Sequence, residues 1–319
     1  MKDIYNKLVF IIHKKCNAEC SMCCFKSNPS CHEKLNIERV KEYLDQSENI
    51  KDITSVSFTG GEPFLEYRTL LDLIKYATIR GKKASTITNG YWATTYDKAY
   101  KRLLELKNSG LTHLNISHDS YHSQYVKTEY VKHVLDAAMQ LNIPTTLVMV
   151  TTKGEHLGHI VDQLGNGLYG TSLSVSPCLP AGAAANYPDD KFDKLLKIEG
   201  LQCVYGRNIV VGYDGTIFPC CSQVIYDNFG LQLGNFENIN LADVLKKTEN
   251  NALLYLLRNE KIDFFADIAK NKLDITLPDK VVNVCELCSL LFKKENISLY
   301  KPYIIEKIKE IKKEPVYDR

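Results

Sequence analysis

Three cysteines near the start of the chain carry its most legible chemistry. Cys16, Cys20 and Cys23 stand in a C-x3-C-x2-C run, Cys16-Asn17-Ala18-Glu19-Cys20-Ser21-Met22-Cys23, just past an apolar stretch, Leu8-Val9-Phe10-Ile11-Ile12. Cysteine thiolates hold iron–sulfur clusters, and a four-iron cluster takes four ligands. Three ligands from one loop leave one iron open to a substrate or cofactor, much as a catalytic zinc site keeps one position free. The bland alternatives are a structural zinc knuckle or scattered reduced cysteines.

Composition narrows the setting. The chain has 319 residues, 45% hydrophobic and 24% charged, as in ordinary globular proteins. A net charge of +2 gives no electrostatic bias toward nucleic acid or a membrane surface. No apolar run approaches the ~20 residues that cross a bilayer. The short apolar run before His13-Lys14-Lys15 is no signal peptide. Eleven cysteines without an export signal argue against a disulfide scaffold and for metal chemistry in a reducing compartment, which is expected to be the cytoplasm.

The elements that must position the cysteines alternate between strand and helix. Asn36 is placed to cap a helix over 37–47, with Val40 and Leu44 on one face. Strands are expected at 55–58, 84–88, 114–117, 145–150 and 173–176, with helices at about 67–78, 95–107, 123–141 and 156–164 between them. With the first strand, six repeats imply parallel strands joined by right-handed crossovers. Six repeats are too few for a closed eight-stranded barrel, and a partial (β/α)6 barrel fits. Polar motifs follow the strand ends: the cysteine loop, Gly60-Gly61-Glu62-Pro63, Asn89-Gly90 and Ser117-His118-Asp119. That is the rim where such barrels place active sites. Residues 177–200 are irregular, with several prolines, and the boundary is set there. A hairpin is expected through Asp214-Gly215, followed by helices at about 241–248, 252–270 and 298–312. The fold class is therefore α/β: a partial (β/α)6 TIM-type barrel over 1–185, then a smaller α+β cysteine-rich domain over 186–319, which the resemblance given below implies to be an iron–sulfur domain.

The cysteine loop resembles the signature of the radical S-adenosylmethionine (SAM) enzymes, although Met22 stands where that family usually has an aromatic residue. The resemblance implies the barrel fold and a 4Fe–4S cluster on Cys16, Cys20 and Cys23. Its open iron would chelate SAM, and one electron would cleave SAM to methionine and a 5′-deoxyadenosyl radical. Gly60-Gly61-Glu62-Pro63 resembles the SAM-binding motif: the glycines allow close approach of backbone, and Glu62 would hold the SAM ammonium. Ser117 and Asp119 resemble positions that hydrogen-bond the SAM ribose or carboxylate, and Asn89 is assigned likewise. A helix cap for Asp119 and a tight turn for Asn89 are the plainer readings.

The second half extends the resemblance. Cys203, Gly215 and Cys220 form C-x11-G-x4-C, similar to the opening of the SPASM extension of peptide-modifying radical SAM enzymes, and Cys285-Glu286-Leu287-Cys288 adds C-x2-C. Four thiolates, Cys203, Cys220, Cys285 and Cys288, would fully ligate one auxiliary 4Fe–4S cluster. A structural zinc is the alternative. Cys221 is left over beside Cys220. The run 214–222, with 116–122 and 254–258, is similar to the epipeptide epimerases, which convert L-residues to D-residues in a ribosomally made peptide. This implies that Cys221 returns the hydrogen atom; the alternatives are a buried bystander or exchanged roles with Cys220.

The expected function is a radical SAM peptide epimerase acting on Val or Ile of a precursor peptide, fed electrons by a reductase or a flavodoxin or ferredoxin. The rivals are a radical SAM enzyme forming thioether or carbon–carbon cross-links, a zinc-stabilised binding protein, and a glycyl-radical activase. The segment 250–277 is either a peptide-groove wall or plain core.

Overall fold

The computed structural model describes residues 5–203, 207–227 and 229–313. Its frame is a run of parallel strands: β1 (Lys7–Ile11), β2 (Ser55–Thr59), β3 (Lys83–Thr88), β4 (Leu111–Ser117), β5 (Thr145–Thr151) and β6 (Thr171–Pro177). The connecting helices are α1 (Ile37–Glu48), α2 (Tyr67–Ile79), α3 (Tyr96–Asn108), α4 (Thr128–Gln140) and α5 (Gly158–Leu164). Asn36 caps α1, its side chain accepting from the backbone N–H groups of Glu38 and Arg39. The expected helix over 123–141 instead divides into a short turn, His122–Gln124, and α4.

The parallel register follows the alternation of the strands. Leu8 and Phe10 of β1 pair with Val56 and Phe58 of β2, and this face packs under the helices. Phe10 stacks on Phe58 at 6.1 Å and meets Tyr43 of α1 edge-on at 6.4 Å. The opposite face carries hydroxyls and amides. Ser85 Oγ donates to Ser57 Oγ at 3.1 Å, and His113 shares a hydrogen bond with Thr146 at 2.9 Å. Strand side chains alternate faces, so the outer face forms the main core, while the interior of the open barrel mixes these polar groups with apolar ones such as Val9, Val148 and Val150.

The second half continues with β7 (Leu196–Lys197), β8 (Asn208–Val211), β9 (Thr216–Phe218), β10 (Gly234–Asn235), α6 (Leu241–Glu249), α7 (Ala252–Asn259), α8 (Asp263–Lys272), β11 (Lys280–Val281), α9 (Val284–Leu291) and α10 (Lys301–Lys313). The hairpin expected at Asp214-Gly215 forms, with Gly215 at φ +80°, a conformation that costs glycine little. It is not a detached unit. β8 lies parallel beside β1, Leu8 opposite Ile209 and Phe10 opposite Val211. The sheet therefore runs β10-β9-β8-β1-β2-β3-β4-β5-β6 across residue 185, and β7 pairs with β11 apart from it. The single helix expected over 252–270 is broken into α7 and α8. α9 was not expected from the sequence. Among the described residues, no helix is long and apolar enough to cross a membrane.

Candidate active site

β1 delivers the chain directly into the cysteine loop, and the Gly-Gly-Glu turn after β2 fixes where that loop starts. Gly61 N–H donates to His13 O at 2.8 Å and Glu62 N–H to Lys15 O at 2.9 Å. A Cβ on Gly61 would lie 2.1 Å from Lys15 O, and one on Gly60 2.5 Å from His13 O. The close approach that requires glycine here is to the chain entering Cys16. Further contacts tie the loop down. Tyr125 donates its hydroxyl to Glu19 O at 2.6 Å, and Ala183 N–H donates to Cys23 O at 3.0 Å. Phe25 meets Tyr213 edge-on at 6.4 Å, joining the loop to the hairpin of the second half. These supports, spread over the chain, were not legible in the sequence.

Cys16, Cys20 and Cys23 line one cavity of about 250 Å³ together with Gly60, Gly61, Glu62, Asn89 and Ser117. Met22, Cys24, His122, Val150 and Gln223 also line it. Glu62 is 1% exposed. Its Oε1 accepts from Phe64 N–H at 3.1 Å and Thr88 Oγ1 at 2.8 Å, and its Oε2 from Asn89 N–H at 2.7 Å. Burial nonetheless pushes its carboxyl up to about 7. Asn89 donates its amide to Asn17 Oδ1 at 2.8 Å, and its own Oδ1 accepts from Tyr91 N–H at 3.1 Å, the tight-turn role. Asp119 turns inward instead and is fully buried. Its Oδ1 accepts from the N–H groups of Tyr121 and His122 and bonds the His122 ring, and its Oδ2 accepts from Val150 N–H at 3.0 Å. Burial pushes that carboxyl up, but the His122 and backbone hydrogen bonds outweigh it and the net direction is down. Asp119 thus holds two cavity walls, His122 and Val150, in place.

The four cysteines of the second set converge although 85 residues separate the first from the last. Cys203, Cys220, Cys285 and Cys288 line a second pocket with Leu254, Leu257 and Arg258 of α7. Asn283 caps α9, accepting from Cys285 N–H at 2.9 Å and Glu286 N–H at 3.3 Å, and so presents Cys285 and Cys288 on its first turns. Leu253, Leu254, Leu256 and Leu257 are buried, so α7 is core against this pocket. Beyond Phe218 the chain runs along this pocket, Pro219 lining it too. Cys220, Ser222 and Val224 line the four-cysteine pocket, whereas Gln223 lines the first cavity. Cys221 is exposed, yet burial pushes its thiol up. It lies within electrostatic range of Lys7, of Cys24 on the first cavity's wall and of Cys285 in the second pocket.

The donor set suits an iron–sulfur group. Burial pushes the Cys16 and Cys20 thiols up to about 12 and Cys220 and Cys288 upward as well. Such thiols keep their protons unless a metal displaces them, and soft thiolates select iron–sulfur clusters or zinc. Among the described residues, no three His, Cys, Asp or Glu gather around a single-ion site.

The sequence pattern of the radical SAM superfamily matches residues 10–164. The chain is 32% identical over 311 residues to YydG of Bacillus subtilis (strain 168), covering 94% of this chain and 97% of that one. The chain belongs to the radical SAM superfamily. The pattern of the SPASM iron–sulfur cluster-binding domain follows at residues 203–289. This radical SAM chain shares its fold with BtrN, whose crystal structure in complex with AdoMet and 2-DOIA aligns at a TM-score of 0.53 and 16% identity, over 81% of this chain and 89% of that one. The name of YydG places that protein in peptide biosynthesis. A radical SAM enzyme carries a 4Fe–4S cluster and SAM, and the SPASM domain an auxiliary cluster.

Proposed function

We propose that this radical SAM enzyme is a peptide epimerase, converting L-residues, Val or Ile, to D-residues in a ribosomally made precursor peptide. Cys16, Cys20 and Cys23 hold the first cluster, and Cys203, Cys220, Cys285 and Cys288 the auxiliary one. Glu62 receives the SAM ammonium, with Gly60, Gly61, Asn89 and Ser117 around it; Asp119 is a positioning residue behind His122 and Val150. Bound there, the cluster and SAM supply a 5′-deoxyadenosyl radical that takes a hydrogen atom from a peptide Cα.

The chain's own part is geometry and hydrogen return. The cavity holds the Cα centre and excludes stray donors. Cys221 then gives its Sγ–H hydrogen atom to the planar Cα from the opposite face: the S–H bond breaks, the Cα–H bond forms, and the centre inverts. The thiyl left on Cys221 returns to thiol by taking one electron and one proton, the electron coming from a reductase or a flavodoxin or ferredoxin. The observation that carries this reading is that Cys220 lines the four-cysteine pocket whereas Cys221 does not and is exposed. The similarity to YydG supports a peptide substrate. Eleven free cysteines support a reducing, cytoplasmic setting.

The test is turnover in heavy water of a candidate precursor peptide, such as one encoded beside the gene. An exchangeable thiol donor places one deuterium at each inverted Cα. A product lighter by two hydrogens supports the cross-linking alternative and contradicts epimerisation.

A further inference from the structure

β6 ends the nine-stranded sheet, and among the described residues its outer edge is unpaired. The edge is long and unbroken: all seven residues, Thr171–Pro177, pair in continuous register with β5. Residues 172–175 are all exposed. Among the described residues, none pairs with that outer edge. At the other end the sheet tapers to the two-residue β10. Proteins usually blunt such edges with charges, bulges or a covering segment, because unpaired backbone groups recruit another strand. Thr171–Pro177 holds no charged residue and no bulge; Pro177, at its end, is the sole interruption.

Its two faces differ. Ser174 and Ser176 stand opposite Val148 and Val150 of β5, and Ser117 of β4 stands opposite Val148. Neighbours in register share a face, so this serine row continues the cavity wall formed by Ser117 and Val150. Leu173 and Val175 share the other face with Leu147 and Met149, which are fully buried, yet are themselves 53% and 52% exposed. An open edge, an uncovered apolar face and continuity with the cavity therefore coincide on one strand.

We propose that β6 is the docking edge for the peptide substrate. A segment beside the modified residue pairs with β6 as an added strand and lays alternate apolar side chains against Leu173 and Val175. Its continuation enters the cavity beside Ser117 and Val150. Main-chain pairing gives affinity, and the alternating apolar contacts give preference. This rests on the peptide-substrate reading, but its test needs no turnover.

The measurement is amide hydrogen exchange of the full chain with a synthetic peptide of about ten residues, valine and isoleucine alternating with threonine and lysine. Exchange over Thr171–Pro177 is expected to slow about tenfold, while strands β1 to β4 are unchanged. The same peptide N-methylated at alternate backbone amides keeps the side chains but cannot pair, and it is expected to give no slowing. A Leu173→Asp, Val175→Asp double variant is expected to lose the effect with unchanged exchange in β1 to β4. Absence of slowing, or equal slowing by the N-methylated peptide, overturns the proposal. So does protection that needs no peptide and rises with protein concentration, which assigns the edge to a second copy of this chain. Turnover of the precursor peptide without inversion would sink the epimerase reading, whereas slowed exchange over β6 with the synthetic peptide would leave this one standing.

Discussion

Asn89 N–H donates to Glu62 Oε2 at 2.7 Å, joining the end of β3 to the turn that follows β2. Through that bond a carboxylate otherwise buried by protein is held at the cavity wall, next to the cysteine loop. Its carboxyl is pushed up to about 7, by burial first, against the opposing hydrogen bonds from Asn89, Phe64 and Thr88.

That shift has two consequences of defined sign. In the metal-free chain, Glu62 contributes stability that is full below its ordinary 4.5 and falls as pH rises to about 7, because the folded state binds the extra proton. Urea unfolding between these limits is expected to show this loss, reduced in Glu62→Gln. SAM binding runs the other way. An ammonium pairs with the ionised carboxylate, so SAM affinity of the anaerobically reconstituted enzyme is expected to rise with pH as Glu62 ionises and then level. A flat affinity profile counts against Glu62 as the ammonium partner.

Gly61→Ala tests the packing of the turn on the loop. The added Cβ would meet Lys15 O at 2.1 Å and Lys14 O at 2.4 Å, both backbone atoms that cannot swing away. Overpacking of this kind costs about 1–3 kcal/mol, and here the strain falls on the residues leading into Cys16. Lower stability in denaturant and lower iron content are both expected. Gly158→Ala is the control, because nothing lies within 4 Å of its Cβ position.

The two adjacent cysteines are expected to separate cleanly in iron analysis. Cys220→Ala removes a thiol from the four-cysteine pocket and is expected to lose about four irons per chain, one whole cluster. Cys221→Ala is expected to keep them. Equal losses in both variants would place the ligand assignment in error.

How much of this was legible depends on how local each signal is. Cys16, Cys20 and Cys23 sit in one loop after one strand, so spacing alone brought them together. The second set spans 203 to 288, and its convergence depends on α9, an eight-residue helix whose sole local announcement is the Asn283 cap. Pairing of β8 with β1 joins residues some two hundred positions apart, and no local pattern specifies it; the hairpin therefore read as part of a separate unit. Gly60-Gly61 was recognised as a close-approach turn, but the partner it approaches is the chain itself. Asp119 carries a cap signal, and its capping bonds are what the structure displays.

The most direct measurement compares Cys221→Ala with the unaltered enzyme on one peptide, counting deoxyadenosine formed and D-residues installed. Hydrogen return from Cys221 predicts that the variant still forms deoxyadenosine, keeps both clusters and installs no D-residue. D-residues made at the unaltered rate by Cys221→Ala would contradict it.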